Sequence, residues 1–204
     1  MIRPQPPTEL TVPGFGIEPS TELADWALST FVKDGSPLCN EEHAHLRTAD
    51  IAFLWTNVEF EHDLMPVAGM AEIVKVNGKP WPRAERVEHL CLLHGNIPQG
   101  RIWLYAPYVA TLDDASLCAL VEHELLHFAQ KTKDGEPKFD DEGRPELTKR
   151  GHDVGEFVSV VERYGLNAVH PNVRRMVEAS GKKPLLAVES IRLACGTCRA
   201  GVNA

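Results

Sequence analysis

The segment LVEHELLHFAQ, residues 120–130, carries His123, Glu124 and His127 in the order H-E-x-x-H. Histidines four residues apart share one face of a helix, one turn from each other, so the pattern constrains this stretch to be helical. On that face two imidazole nitrogens can hold a single ion. Glu124 lies beside His123 around the helix, where its carboxylate can reach a water rather than the metal. Leu117, Leu120, Val121, Leu125 and Phe128 repeat at the helical period and predict a helix from Asp113 to about Lys131, with Asp113 and Asp114 at its positive end. That apolar stripe argues against a solvated helix whose histidines merely face water.

The rest of the chain bounds what such a helix can belong to. With 204 residues, 43% hydrophobic and 25% charged, the composition is that of an ordinary globular domain with at most a small appendage, and excludes disorder as the dominant state. A net charge of -8 disfavours wrapping of nucleic acid by bulk electrostatics. The charge is uneven, however: residues 171–204 hold Arg174, Arg175, Lys182, Lys183, Arg192 and Arg199 against Glu178 and Glu189. This basic tail allows a weak contact with nucleic acid, although a solvated face is the simpler reading. No apolar run reaches the roughly 18 residues needed to span a bilayer, and MIRPQPPTEL lacks the features of a signal peptide, so a cytoplasmic protein without a membrane partner is expected. Five cysteines point to thiols or metal ligands rather than a disulfide framework.

Three segments are expected. Residues 1–19, with five prolines and two glycines, read as an extended or mobile arm. Residues 20–170 form the main domain, and 171–204 the basic tail with its C-x-x-C. Ser20 caps an amphipathic helix built on Leu23, Trp26, Ala27, Thr30 and Phe31, which Gly35 and Pro37 end. A polar loop with Cys39, His43 and His45 follows. Ile51–Phe60 and Val67–Val76 read as two neighbouring strands, and Arg101–Ala106 as a third. Residues 133–150 read as a polar surface loop. A second helix is expected from Asp153 to Tyr164, opened by an Asp153…Glu156 capping box and closed by Gly165, with a weaker helix at Val173–Ala179.

His123, Glu124 and His127, the later G-H-D-V-G-E-F from Gly151 to Phe157, and the order of elements together resemble the small SprT-like or minigluzincin zinc metallopeptidases, in particular the domains encoded by bacteriophages and prophages. The resemblance covers residues 20–165 and implies a zincin fold, a catalytic zinc and a peptidase activity in the cytoplasm of a bacterial host. SprT-like proteins carry a third histidine in H-G-x-x-F; here Asp153 replaces that glycine. Catalytic zinc takes three protein ligands and leaves one position open. His152, which lies 25 residues beyond His127, is one candidate for the third ligand, because its ring can project from the start of the second helix. Glu156 is the rival, as in thermolysin-like enzymes, although its capping role needs no metal. A second, structural zinc on Cys195, Cys198, Cys91 and His94 is a further candidate, reminiscent of the zinc ribbon of some SprT-like proteins.

The resulting expectation is an α+β fold: a small, mostly antiparallel sheet, the zincin helix packed on it, and a second helix supplying the third ligand. The expected function is hydrolysis of polypeptides by a zinc-activated water, with Glu124 as general base. Two alternatives stand beside it: a catalytically silent zinc protein that neutralises a host or defence factor, and a DNA-associated SprT-like protease.

Overall fold

Five of the six residues of Ile51–Thr56 are buried, a density that requires cover on both faces of the strand. The structure is a computed structural model and describes residues 2–62, 65–76, 83–155, 158–166, 170–187 and 190–191. The arm reaches β1 (Ile17–Pro19), which pairs antiparallel with β2 (Ile51–Thr56). Between them α1 (Thr21–Ala27) starts at Ser20, whose hydroxyl accepts the Leu23 N–H, and continues through a wider turn over Leu28–Val32. A 3-10 segment, Glu41–Thr48, then leads into β2.

After β2 come the short β3 (Glu61–His62) and β4 (Met65–Pro66), then β5 (Gly69–Ile73), α2 (Arg83–His94), β6 (Gly100–Tyr105) and the single-turn α3 (Ala106–Val109). The main sheet has the order β1-β2-β6-β5, with β2 and β6 parallel and the other pairs antiparallel. The two strands expected to be neighbours are therefore separated by β6. β5 turns back along β6, and the intervening α2 permits the parallel pairing that a short connection cannot make. α2 has no apolar stripe to predict it, since Leu90 alone is buried and Leu92 is exposed.

α4 (Asp114–Leu126) is capped by the Asp113 carboxylate, which accepts the Ser116 N–H at 2.7 Å. Its buried stripe of Leu117, Cys118, Val121, Glu124 and Leu125 faces the core, and the helix packs on β5. The helix ends about five residues earlier than expected. His127 is its C-cap, and Phe128–Gln130 become β7, because Phe128 is more deeply buried as a strand residue against Gly100. A Cβ on Gly100 would stand 2.5 Å from the Phe128 ring, so only glycine lets β6 begin there.

The expected polar loop is also structured. β8 (Thr132–Lys133) and β9 (Glu136–Pro137) form a hairpin closed by Asp134 and Gly135, both at positive φ, a turn that Asp-Gly favours. β10 (Leu147–Lys149) then pairs antiparallel with β7, placing Lys149 opposite Phe128. α5 (Val158–Tyr164) and α6 (Pro171–Ser180) complete the described elements. The capping box expected at Asp153 is not formed as such: residues 151–155 are not helical, the Asp153 carboxylate pairs with Arg150, and Glu156 lies outside the described residues.

The N-terminal arm is extended and anchored. Arg3 is buried, its guanidinium 2.9 Å from Asp114 and bonded to the Leu112 carbonyl, which ties the arm to the first turn of α4. No helix among the described residues is long and apolar enough to cross a membrane.

His43, in the 3-10 segment, is fully buried beside α4, with Glu122 4.0 Å away. Burial, aided by the charge of His45, pushes its pKa down to about 4. The folded chain thus binds this proton less readily than the unfolded chain. Its contribution is complete above pH 6.5 and is lost as the pH falls towards 4. We expect urea unfolding of the protein to lose of the order of 2 kcal/mol more stability between pH 7.5 and 4.5 than that of His43→Leu. Parallel pH dependences of the two proteins would rule this out.

Candidate metal centre

α4 turns its apolar stripe inward, which leaves His123 exposed and His127 half-buried at the helix end. The β7–β10 pair returns the chain to the same place. The Arg150 N–H donates to the His127 carbonyl at 2.8 Å, and the His127 Nδ1 lies 2.8 Å from the Arg150 carbonyl. The segment leaving β10 then carries His152 over the other two rings. Ring centroids lie 5.0 Å apart for His123 and His127, 4.9 Å for His123 and His152, and 4.8 Å for His127 and His152.

These three residues fit a divalent metal. One nitrogen from each lies within 4.8 Å of the others, and the Nε2 atoms of His123 and His152 are 3.1 Å apart. Tetrahedral coordination at ~2.0–2.1 Å would space nitrogens by roughly 3.3 Å, so little movement is needed. His127 donates its Nδ1–H to the Arg150 carbonyl, which leaves Nε2 with its lone pair for an ion. Burial, and then the neighbouring imidazoles, lower the pKa of His123; burial also lowers that of His127, against the pull of the Arg150 carbonyl. Both shifts favour the neutral rings that metal binding requires. A cavity of about 420 Å³, lined by the three histidines, Leu126, Val154 and Met176, opens onto them.

Glu124 is only 3% exposed and points from α4 towards β5. Burial pushes its pKa up to about 7, while the Ala71 N–H and the charge of Lys149 hold it back. Its Oε2 has no hydrogen-bond partner among the described residues. The fit depends on Gly69, because a Cβ at that position would come within 2.8 Å of the Glu124 Oε1. A buried carboxylate that titrates near neutrality can both accept and return a proton.

Of the residues the sequence singled out, the structure brings the rings of His123, His127 and His152 together and turns Glu124, at the same end of α4, towards β5. Sequence reasoning missed the supporting residues. Arg150 not only bonds His127 but also pairs with Glu42 at 2.9 Å and Asp153 at 3.1 Å, cross-linking the 3-10 segment to the His152 segment. Gly69 and Lys149 were missed as well; both come near Glu124 only through tertiary packing, which no local pattern encodes.

The other candidates lie elsewhere. Cys91 and His94 sit one turn apart on α2, Cys91 being an exposed free thiol, while Cys195 and Cys198 fall outside the described residues. Arg174 and Arg175 lie on α6, with Lys182 and Lys183 just beyond it; Arg192 and Arg199 are outside the described residues. Asp34, Cys39 and Glu41 also converge within 4.8 Å, but Arg47 already supplies the cation there, 2.9 Å from Glu41 and 3.9 Å from Asp34.

Comparison with known proteins agrees with this geometry at the level of the family. No curated protein and no solved structure matches the chain. Residues 24–180 match the model of one family, described as Putative phage metallopeptidase. That span runs from α1 to the end of α6 and contains all three histidines and Glu124. Since it covers well over half of the sequence, the chain belongs to the Putative phage metallopeptidase family.

Proposed function

We propose that the protein is a zinc-dependent peptidase in which His123, His127 and His152 hold the metal and Glu124 moves the proton. The observation that carries this reading is the convergence of three imidazoles at the end of α4 that also carries a buried carboxylate, whose Oε2 has no hydrogen-bond partner among the described residues. Zinc, when bound, supplies Lewis acidity, which polarises a peptide carbonyl and acidifies water. Glu124 accepts the proton of the attacking water and returns it to the leaving amine, a double role suited to a pKa of about 7. The Arg150 carbonyl keeps the His127 ring oriented throughout. Burying a carboxylate with an unsatisfied oxygen is costly, and a silent zinc-binding protein has no use for that cost. This favours an enzyme acting on polypeptides over a binder that neutralises a host factor.

The test of the base is Glu124→Gln. It is expected to retain one zinc per chain and the fold while losing at least ~100-fold in peptide hydrolysis. Loss of zinc from the variant, or undiminished hydrolysis, would remove Glu124 from this role. Failure of the zinc-loaded protein to cleave any peptide in a proteome-derived mixture would set the peptidase reading aside.

The third ligand is tested separately. His152→Ala should weaken zinc affinity by more than ~100-fold, whereas Glu156→Ala should leave it close to that of the unaltered protein. Because protons compete for the same imidazoles, affinity in the unaltered protein should fall as the pH drops below about 6. The reverse ranking of the two variants, measured by competition with a chromogenic chelator, would move the third ligand to Glu156.

A further inference from the structure

β5 is an outer strand of the main sheet. The Tyr105 N–H bonds to the Ala68 carbonyl and the Val74 N–H to the Gln99 carbonyl, so the even-numbered residues from 68 to 74 are the ones bonded to β6. The backbone groups of Gly69, Ala71 and Ile73 therefore face the open edge. Along this edge runs a groove of about 780 Å³, with Ala71 and Ile73 on one wall and Thr148 and Lys149 on the other. Two of its lining residues lead towards the candidate metal centre. Ala71 donates its N–H to Glu124, and Arg150, the residue after Lys149, lines the cavity of the three histidines.

The charges in this groove are unbalanced in a specific way. Each of its carboxylates is already paired: Glu72 with Arg101 at 2.7 Å, Asp140 with Arg144 at 2.9 Å, and Glu146 with Lys138 at 3.0 Å. Lys149 forms no ion pair with these groove-lining carboxylates; the acidic group its charge acts on is the buried Glu124. Side chains alternate along β10, so Lys149 shares a face with the buried Leu147, and at the end of the strand it is itself exposed. Its ammonium is close enough to act on both Glu124 and His127. A cation in a groove whose lining carboxylates are all paired is complementary to a carboxylate brought by a ligand.

We propose that this groove is a subsite for peptides bearing a carboxylate and that Lys149 is the specificity-determining residue that receives it. The inference rests on the peptidase reading and adds to it a substrate class, peptides with an acidic side chain or an acidic C-terminus close to the scissile bond.

The test uses decapeptides labelled with an uncharged coumarin and degenerate except for one position fixed as Glu, Gln or Lys, each made as a free acid and as a C-terminal amide. Their binding to the full-length, zinc-loaded Glu124→Gln protein is followed by fluorescence anisotropy. At low salt, the Glu peptides should bind at least tenfold more tightly than their Gln counterparts at one or more positions, a ratio that should collapse at 0.5 M NaCl. Persistence of the preference in the amides assigns the carboxylate to a side chain; restriction to the free acids assigns it to the C-terminus. Adding Lys149→Met should abolish the preference, Lys149→Arg should retain it, and Lys149→Glu should turn it towards the Lys peptides. Equal binding of Glu and Gln peptides in both the free-acid and amide forms, a preference that survives Lys149→Met, or no binding of any peptide would overturn the proposal. The same peptides incubated with the unaltered zinc-loaded protein separate the two readings. Cleavage without a carboxylate preference removes the role of Lys149 and leaves the peptidase standing; carboxylate-selective binding without cleavage does the opposite.

Discussion

The antiparallel pairing of Phe128–Gln130 with Leu147–Lys149 is the interaction on which the candidate centre depends. A helix alone presents His123 and His127, but His152 is 25 residues away in sequence, and an unstructured loop of that length would place it nowhere in particular. The strand pair converts that separation into contact. Its register brings Arg150 level with His127, where two backbone-anchored hydrogen bonds fix both the end of the helix and the orientation of the ring. His152 then needs only two further residues to reach the Nε2 of His123. Buried anchors hold the pair in turn, with Phe128 against Gly100 and Leu147 in the core.

A second constraint acts on the other side of α4. The stripe that buries the helix includes Glu124, so the same packing that stabilises the helix desolvates a carboxylate. The sheet meets this residue with glycine at 69 and a backbone N–H at 71, which makes room for the carboxylate but satisfies only part of it. The proton affinity of Glu124 is therefore set first by its burial in the fold, against which the Ala71 N–H and the charge of Lys149 act.

Much of this was legible in the sequence because its signals were local. The apolar period around His123 and His127 marked α4, Ser20 marked the cap of α1, and the β-branched and aromatic run at Ile51 marked the most buried strand. What was not legible depended on distant partners. The end of α4 was misplaced by about five residues, since Phe128 fits the helical stripe equally well and its strand role appears only opposite Lys149. β5 was recognised as a strand but not as the outer one, because sheet order is decided by the α2 connection, whose residues show no apolar face. Residues 133–150 were read by polarity alone. Asp134-Gly135 signalled a tight hairpin there, but flanking strands of two residues are too short to show alternation.

The hairpin at residues 132–137 and the turn after it form an excursion between two fixed points, β7 and β10. His127 and His152 lie beyond the outer ends of those strands, whereas Lys131, Asp140, Arg144 and Glu146 on the excursion line the groove. Lengthening, shortening or recharging the excursion would therefore alter the wall of the groove while leaving the spacing of the three imidazoles unchanged. Part of the groove wall is thus carried on backbone separable from the imidazoles, while Lys149 stays on β10 with them, so a genome under pressure to change what is recognised could revise the excursion without rebuilding the centre.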